Sequence, residues 1–162
     1  MTKQSTVLHV PDHLMLVKAI PVASDLLAVL CHDQPAAEEG IRLSRALTVD
    51  THGRWTDAGR FRWHGIDIAL TGGTGLLVLG RDGQIGSIVS GATHESWLEN
   101  GRAMGPMRAI VSSGDKTLAF GMNRHAYLAD GPGWRRFERG FDAPSTPMPR
   151  STSTPCSTRW AG

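Results

Sequence analysis

Hydrophobic residues fall in short runs along most of this chain, and the clearest pattern lies between Ile66 and Gly140. Runs of about five apolar or alternating residues are separated by turns rich in Gly, Asp, Asn and Ser, which predicts short β-strands joined by hairpins. The pattern occurs twice, and two equivalent glycines, Gly80 and Gly121, are 41 residues apart. A period of about 40 residues is typical of a four-stranded repeat.

A further copy of the pattern precedes these two and contains an insertion. Its strands and turns lie, in chain order, at Met15–Ile20 (strand), 21–25 (turn), Leu26–Leu30 (strand), 33–40 (insertion), 45–50 (strand) and 53–56 (strand). The region 15–142 is therefore expected to hold three repeats, at 15–60, 61–104 and 105–142.

The two ends of the chain differ from the repeats. Segment 1–14 contains Val7-Leu8-His9-Val10-Pro11, which is interpreted as an edge strand, because Pro is tolerated at a sheet edge. In β-propellers, which are rings of four-stranded sheets, an N-terminal strand of this kind often closes the ring. Residues 143–162 are rich in Ser, Thr and Pro, so they predict a disordered tail. Two origins for this tail stay open: a reading frame shifted near codon 143, or an ordinary Ser/Thr/Pro segment.

The fold that these patterns predict is all-β: a partial β-propeller of about three four-stranded antiparallel blades, followed by the disordered tail. In each copy the first two strands are apolar and the last two alternate, as expected for inner and outer strands of a blade. Trp55, Trp97 and Trp134 stand near the fourth strands. They are predicted to occupy equivalent positions and to pack against the neighbouring blade.

Segments 76–85 and 118–127 resemble the repeats of bacterial propellers of the YVTN and bacterial-neuraminidase-like (BNR) types, which include WD-repeat-like and photosystem-assembly-factor-like proteins. Residues 48–55 match the sialidase Asp box in part, with the Gly displaced by one position. The resemblance implies a propeller scaffold and no particular activity. A closed propeller needs about four to eight blades, so three copies suggest a truncated fragment, a dimer that completes the ring, or an open arc.

Composition and charge narrow the class of protein. The 162 residues are 40% hydrophobic and carry a formal net charge of +2, with arginines concentrated in the second half. Because stacking aromatic residues beside a basic groove are lacking, the nucleic-acid signal is weak. The longest apolar run, Leu14–Leu30, is broken by Lys18, Pro21 and Asp25, so no membrane span is expected. Two distant cysteines, Cys31 and Cys156, fit a reducing compartment and favour a cytoplasmic protein.

The candidate site is a surface made by two turns at equivalent positions of successive repeats. Loops on a rigid scaffold commonly bind partners. The predicted partner-binding residues are Arg81, Asp82, Asn123, Arg124 and His125.

The sequence thus predicts a non-catalytic protein-binding or scaffolding module, of an accessory or immunity type, that uses no cofactor and no metal. A glycoside hydrolase or lyase fragment, or a truncated product with no activity of its own, are the alternatives. A sialidase needs a tyrosine nucleophile among converging acids, and Tyr127, the one tyrosine, stands within a strand pattern.

Overall fold

The structure, a computed structural model, describes residues 10–72, 75–131 and 133–137. Within these residues, twelve strands form three four-stranded antiparallel sheets, which confirms the all-β prediction. The predicted tail at 143–162, the frameshift proposed near residue 143 and most of the predicted N-terminal strand lie outside the described residues.

Each sheet consists of four consecutive strands in sequence order, as in the blades of a propeller. The first sheet contains β1 (Leu14–Ala23), β2 (Leu26–Asp33), β3 (Ser44–Asp50) and β4 (Trp55–Phe61), with helix α1 (Gln34–Glu38) between β2 and β3. The second contains β5 (Gly65–Leu70), β6 (Leu76–Gly80), β7 (Gln84–Val89) and β8 (Ala92–Trp97). The third contains β9 (Met107–Ser113), β10 (Lys116–Gly121), β11 (Ala126–Asp130) and β12 (Gly133–Arg136).

The second sheet is packed on both faces, and its strand β6 shows why. Leu76 and Val78 belong to a core shared with the first sheet, and Leu77 and Leu79 belong to a core shared with the third. Successive side chains of a strand point to opposite faces, so an unbroken apolar run is buried on both. The innermost strands β1, β5 and β9 lie next to one another across the three sheets.

The core between the first and second sheets depends on one glycine. A Cβ atom at Gly86 would collide with the ring of Phe61, and that ring lies 4.6 Å from the ring of Trp63, centroid to centroid. Both aromatic side chains are buried. Trp63 Nε1 donates a 2.8 Å hydrogen bond to Glu95 Oε2 on β8, so the indole also links the connection after β4 to the outer strand of the second sheet.

The structure corrects the predicted elements of the first copy. Strand β1 continues to Ala23, so residues 21–23, predicted as turn, pair with β2 through a bulge after Pro21. Pro21 is accepted there because β1 is the first strand in its sheet. The insertion contains the short helix α1, whose first turn is capped by Asp33 Oδ1 accepting from the amide of Ala36 at 3.2 Å.

The prediction for the three tryptophans was wrong for Trp97 and only partly right for Trp55. Trp97 is 60% exposed and pairs with Gln84 at the end of its strand, so it is not equivalent to Trp134. Trp134 packs in the core between the second and third sheets, as predicted. Trp55 packs on the opposite, outer face of the first sheet. Trp63, which lies between strands and was missed, is the most buried indole within the described residues, with 7% of the residue exposed.

The outer face of the first sheet is buried as well. Leu14, Val29, Cys31, Leu47 and Val49 form a cluster there. Val10 and Leu27 pack against it. Cys31 is therefore a buried thiol.

Candidate functional site

The strand starts and the predicted turns meet at one end of the sheets. The amide of Arg81 donates to the carbonyl of His64 at 3.0 Å, and the carbonyl of Arg81 accepts from the amide of Met107 at 2.8 Å. The amide of Met122 donates to the carbonyl of Pro106 at 2.9 Å. Backbone hydrogen bonds therefore connect the turn after β6 and the turn after β10 through the start of β9. We call this region, His64, Arg81, Pro106–Arg108 and Met122, the loop end.

Two adjoining clefts open at the loop end, and His64 lines both of them. The cationic cleft has a volume of about 350 Å³ and is lined by His64, Ile66, Arg81, Pro106, Met107 and Arg108. The apolar cleft has a volume of about 350 Å³ and is lined by Met15, His32, Ala37, Gly40, Ile41, Arg42, Leu43 and His64. The first cleft lies between the second and third sheets, and the second lies beside the insertion of the first sheet.

Positive charge accumulates around the shared histidine. Burial lowers the pKa of His64, and the positive charges of His32, Arg42 and Arg81 lower it further, while Asp82 acts in the opposite direction. Within residues 10–72, 75–131 and 133–137, Arg42, Arg81 and Arg108 form no ion pair. Arg108 Nη2 instead lies 3.2 Å from Met122 Sδ, and a thioether is a weak acceptor. The clefts therefore carry positive charge that the described carboxylates do not neutralise.

His32 forms a rigid wall behind His64. Its Nε2 lies 2.6 Å from the carbonyl oxygen of Gly65, and because a carbonyl only accepts, the ring nitrogen is the donor. The rings of His32 and His64 are 4.1 Å apart, centroid to centroid, and tilted by 44°. This hydrogen bond fixes the orientation of the inner ring, against which His64 packs.

Four of the five predicted residues lie on the surface near the loop end. Arg81 is exposed and lines the cationic cleft, and Asp82 is half-buried. Asn123 and Arg124 are exposed and adopt the left-handed backbone region, with φ of 59° and 60°. The side chain of Asn123 is already occupied, because its Nδ2 donates to the carbonyl of Met104 at 3.0 Å.

The fifth predicted residue, His125, does not belong to this surface. Its side chain is 2% exposed, and a Cβ atom at Gly121 would collide with its ring. Its Nε2 lies 3.2 Å from Met107 Sδ. Burial lowers the pKa of His125, a backbone hydrogen bond involving Met122 opposes this, and the positive charge of Arg136 adds to the lowering. The ring is part of the core and cannot contact a partner.

In the second sheet, Gln84 covers Gly80 as His125 covers Gly121 in the third sheet, and the sequence contains a signal for both. Gln84 is buried, and a Cβ atom at Gly80 would collide with its side chain. Gln84 Oε1 accepts a 3.0 Å hydrogen bond from the amide of Asp82. Gln84 and His125 are 41 residues apart, the same distance as Gly80 and Gly121. A glycine with a large polar residue four positions later thus indicates a side chain folded over the strand end.

Among the cleft residues that sequence reasoning missed are the basic side chains Arg42, His64 and Arg108. His64 directly precedes β5, and Arg108 is the second residue of β9. In a four-stranded antiparallel sheet with sequential order, the first strand starts at the same end as the turn between the second and third strands. The start of each repeat was therefore predictable as a neighbour of the turns at Arg81 and Arg124. Arg42 could not be placed, because it follows the irregular insertion.

The described residues offer no metal centre and no membrane helix. In this part of the chain, no three His, Cys, Asp or Glu side chains stand close enough together to hold a metal ion. No helix among the described residues is long and apolar enough to cross a membrane.

Comparisons with protein-family models, with curated proteins and with solved structures find no match for this chain. The fold description therefore rests on the three sheets themselves. Their sequential four-stranded order is consistent with propeller-like blades.

Proposed function

We propose that this chain is a non-catalytic binding module that docks an acidic protein partner on the loop end. The observation that carries the proposal is the convergence of Arg42, Arg81 and Arg108 on two adjoining clefts, without an ion pair in the described part of the chain. Like charges held together oppose folding, and an anionic partner removes that cost.

The scaffold around these arginines suits docking. The turn at Arg81 is tied to His64 and Met107 by backbone hydrogen bonds, so the loops that present the charges are ordered before a partner arrives. A preordered surface binds at lower entropic cost. Complementary charge also speeds association and selects the partner, and arginine is frequent among the residues that dominate interface energies.

The chemistry of the clefts favours binding over catalysis. Within the described residues, the rings of His32 and His64 form no hydrogen bond with a hydroxyl or thiol group, which nucleophilic catalysis requires. Burial raises the pKa of the Cys31 thiol, and the positive charge of Arg45 only partly offsets this. Cys31 also belongs to the cluster on the outer face of the first sheet, away from the clefts.

The repeats are proposed to be propeller blades of the YVTN and BNR type, on the resemblance of segments 76–85 and 118–127. A dimer that completes a six-bladed ring stays a prediction. Its two copies would have to join through the outer faces of the first and third sheets. Val111 on the third sheet is 53% exposed, but Val29 and Leu47 on the first sheet are 2% and 3% exposed in the single chain. Burial of these two residues argues for a partner at the loop end over ring closure. Light scattering after size exclusion tests ring closure, because a six-bladed ring requires the chain to have the mass of a stable dimer in solution.

The docking proposal is tested with a partner that co-purifies in stoichiometric amount. Its affinity is measured by calorimetry for the wild type, for Arg81→Gln and for Lys116→Gln. Lys116 is an exposed cation at the start of β10, at the opposite end of the third sheet. We expect the Arg81 variant to bind about tenfold more weakly, which is about 1.4 kcal/mol, and the Lys116 variant to bind as the wild type does. An affinity that is independent of salt and equal in all three proteins would overturn the proposal.

A further inference from the structure

The two clefts differ in chemistry although they share one wall. The cationic cleft presents Arg81 and Arg108 around His64. The apolar cleft presents Met15 and Ile41, which are 52% and 51% exposed. Large apolar side chains exposed together in one concave place mark interaction sites. A partner that only matched the charge would leave these two side chains in water.

We infer that the loop end is a bipartite site for a short protein segment, in which the cationic cleft takes a carboxylate side chain and the apolar cleft takes an aliphatic side chain within two residues of it. This inference rests on the proposed function and names the chemistry of the docked segment. The spacing follows from the shared wall, because His64 lines both clefts. In an extended segment, each residue advances about 3.3 Å.

The carboxylate end of the segment is assigned by the unpaired guanidinium groups. Arg81 and Arg108 have no carboxylate partner within the described residues. The carboxylate nearest in sequence is that of Asp82, and its residue is half-buried. Arginine presents a planar fork of donors that matches a carboxylate in two parallel hydrogen bonds.

The apolar end of the segment is assigned by the insertion, which only the first repeat has. The insertion is held in place by backbone hydrogen bonds, from the amide of Gln34 to the carbonyl of His13 at 2.9 Å and from the amide of Ile41 to the carbonyl of Ala36 at 2.8 Å. It therefore forms a fixed wall for the apolar cleft and presents Ile41 to solvent. The second and third sheets have short turns at the equivalent position. The apolar side chain of the segment therefore lies toward the first sheet, which sets the direction in which the segment binds.

Proton uptake provides a readout that depends on the shared wall. The groups that face His64 are His32 from β2, Arg42 from the segment between the insertion and β3, Arg81 and Asp82 from the turn after β6, and Arg108 from β9. A carboxylate bound beside His64 favours the charged imidazole. Binding of the segment should therefore tighten as the pH falls from about 7.5 to about 6, where the carboxylate of a glutamate stays ionised.

The test uses synthetic seven-residue peptides, labelled with a fluorophore at one end, and the full chain in fluorescence anisotropy. The first probe carries adjacent Glu and Leu in a Gly/Ser background. The matched probes carry Gln and Leu, Glu and Ser, or Glu and Leu separated by four Gly residues. We expect the first probe to bind at least about fivefold more tightly than each of the others, with a further gain at pH 6 that is absent in His64→Gln.

Variants of the chain assign each end of the peptide. Arg108→Gln should remove the preference for Glu over Gln and leave the preference for Leu over Ser. Ile41→Ser should remove the preference for Leu over Ser and leave the preference for Glu over Gln. Lys116→Gln should leave both preferences unchanged. All of these side chains are exposed, and circular dichroism verifies the fold of each variant.

Three outcomes would overturn the bipartite site: equal binding of all probes, no binding at millimolar peptide, or displacement of the first probe by inorganic phosphate with no effect of the Leu→Ser change. The last outcome would mean a site for anions alone. The partner titration of the proposed function is independent of these peptides. If Arg81→Gln lowers the affinity for the partner but all peptide probes bind equally, the docking proposal stands and the bipartite segment is rejected.

Discussion

The carboxylate of Asp67 accepts a 2.9 Å hydrogen bond from the backbone amide of Ile110, and this bond crosses from the second sheet to the third. The other carboxylate oxygen accepts from the amide of Ile68 at 2.8 Å and from the ammonium group of Lys18 on β1. Asp67 is 5% exposed. One buried carboxylate therefore links the innermost strands of all three sheets.

Removal of this carboxylate should destabilise the packing of the sheets. In Asp67→Ala, the buried Ile110 amide loses a charged acceptor, and the Lys18 ammonium, whose side chain is 41% exposed, loses its ion-pair partner. We expect the free energy of unfolding to fall by about 2–4 kcal/mol, measured by urea denaturation.

The control for this variant is Asp130→Asn, which removes the carboxylate of the ion pair between Asp130 and Arg135. The side chain of Asp130 is 67% exposed and that of Arg135 is 63% exposed. Exposed pairs contribute little, so no measurable change is expected. Equal stability of Asp67→Ala and the wild type would show that Asp67 does not join the sheets.

The glycine at the end of β10 is required by the side chain that covers it. In Gly121→Ala the new Cβ atom would collide with the His125 ring, so that ring or the strand must shift. We expect a loss of about 1–3 kcal/mol in the free energy of unfolding, because overpacking forces side chains out of their rotamers. Thermal unfolding followed by circular dichroism measures the change.

Two further variants separate overpacking from other effects of alanine. Gly72→Ala meets no atom within 4 Å and should leave the stability close to that of the wild type. The double variant Gly121→Ala with His125→Ala should cost less than the sum of the single changes, because the collision is absent. Strict additivity would contradict the proposed contact.

The stability of the protein should decrease in mild acid because of His125. Burial lowers its pKa in the folded chain, whereas in the unfolded chain the imidazole takes up a proton near pH 6.5. The unfolded state then binds more protons, so the free energy of unfolding falls as the pH decreases from about 7 towards 5.

His125→Gln should weaken this pH dependence and leave the fold intact, because glutamine already occupies the equivalent place at Gln84. Urea denaturation of both proteins at pH 7.5, 6.5 and 5.5 provides the comparison. The same decrease in both proteins would assign the acid sensitivity to other groups.

The thiol of Cys31 should react only when the chain opens. Cys31 is fully buried, and burial raises its pKa, so little thiolate is available at neutral pH. In a Cys156→Ser variant, which leaves one thiol, labelling by iodoacetamide should be slow in buffer and fast in urea. Labelling in buffer at the rate of a free thiol would contradict the buried position.

Much of the strand pattern was predictable because hairpins pair residues that are close along the chain. Leu76–Gly80 and the turn at Asp82 and Gly83 carry their own signals, an apolar run followed by turn residues. The errors fall where the local signal is ambiguous. The local signal at Pro21 predicts a turn, although this residue lies in the edge strand of its sheet. The tryptophan pattern predicts that Trp97 is equivalent to Trp134, although their spacing of 37 differs from the period of 41.

By itself, the sequence determined the all-β class, the order of four strands in each sheet and the turns that carry Arg81 and Arg124, because alternation and turn chemistry are local properties. Only the tertiary structure decided that His125 is buried, that Arg42 and Arg108 each line a cleft with His64, and that Asp67 bonds to Ile110. The contacts at His64 and at Asp67 join different sheets, and Asp67 and Ile110 are 43 residues apart. Packing between sheets depends on which faces meet and at what angle, and no periodicity along the chain encodes that geometry.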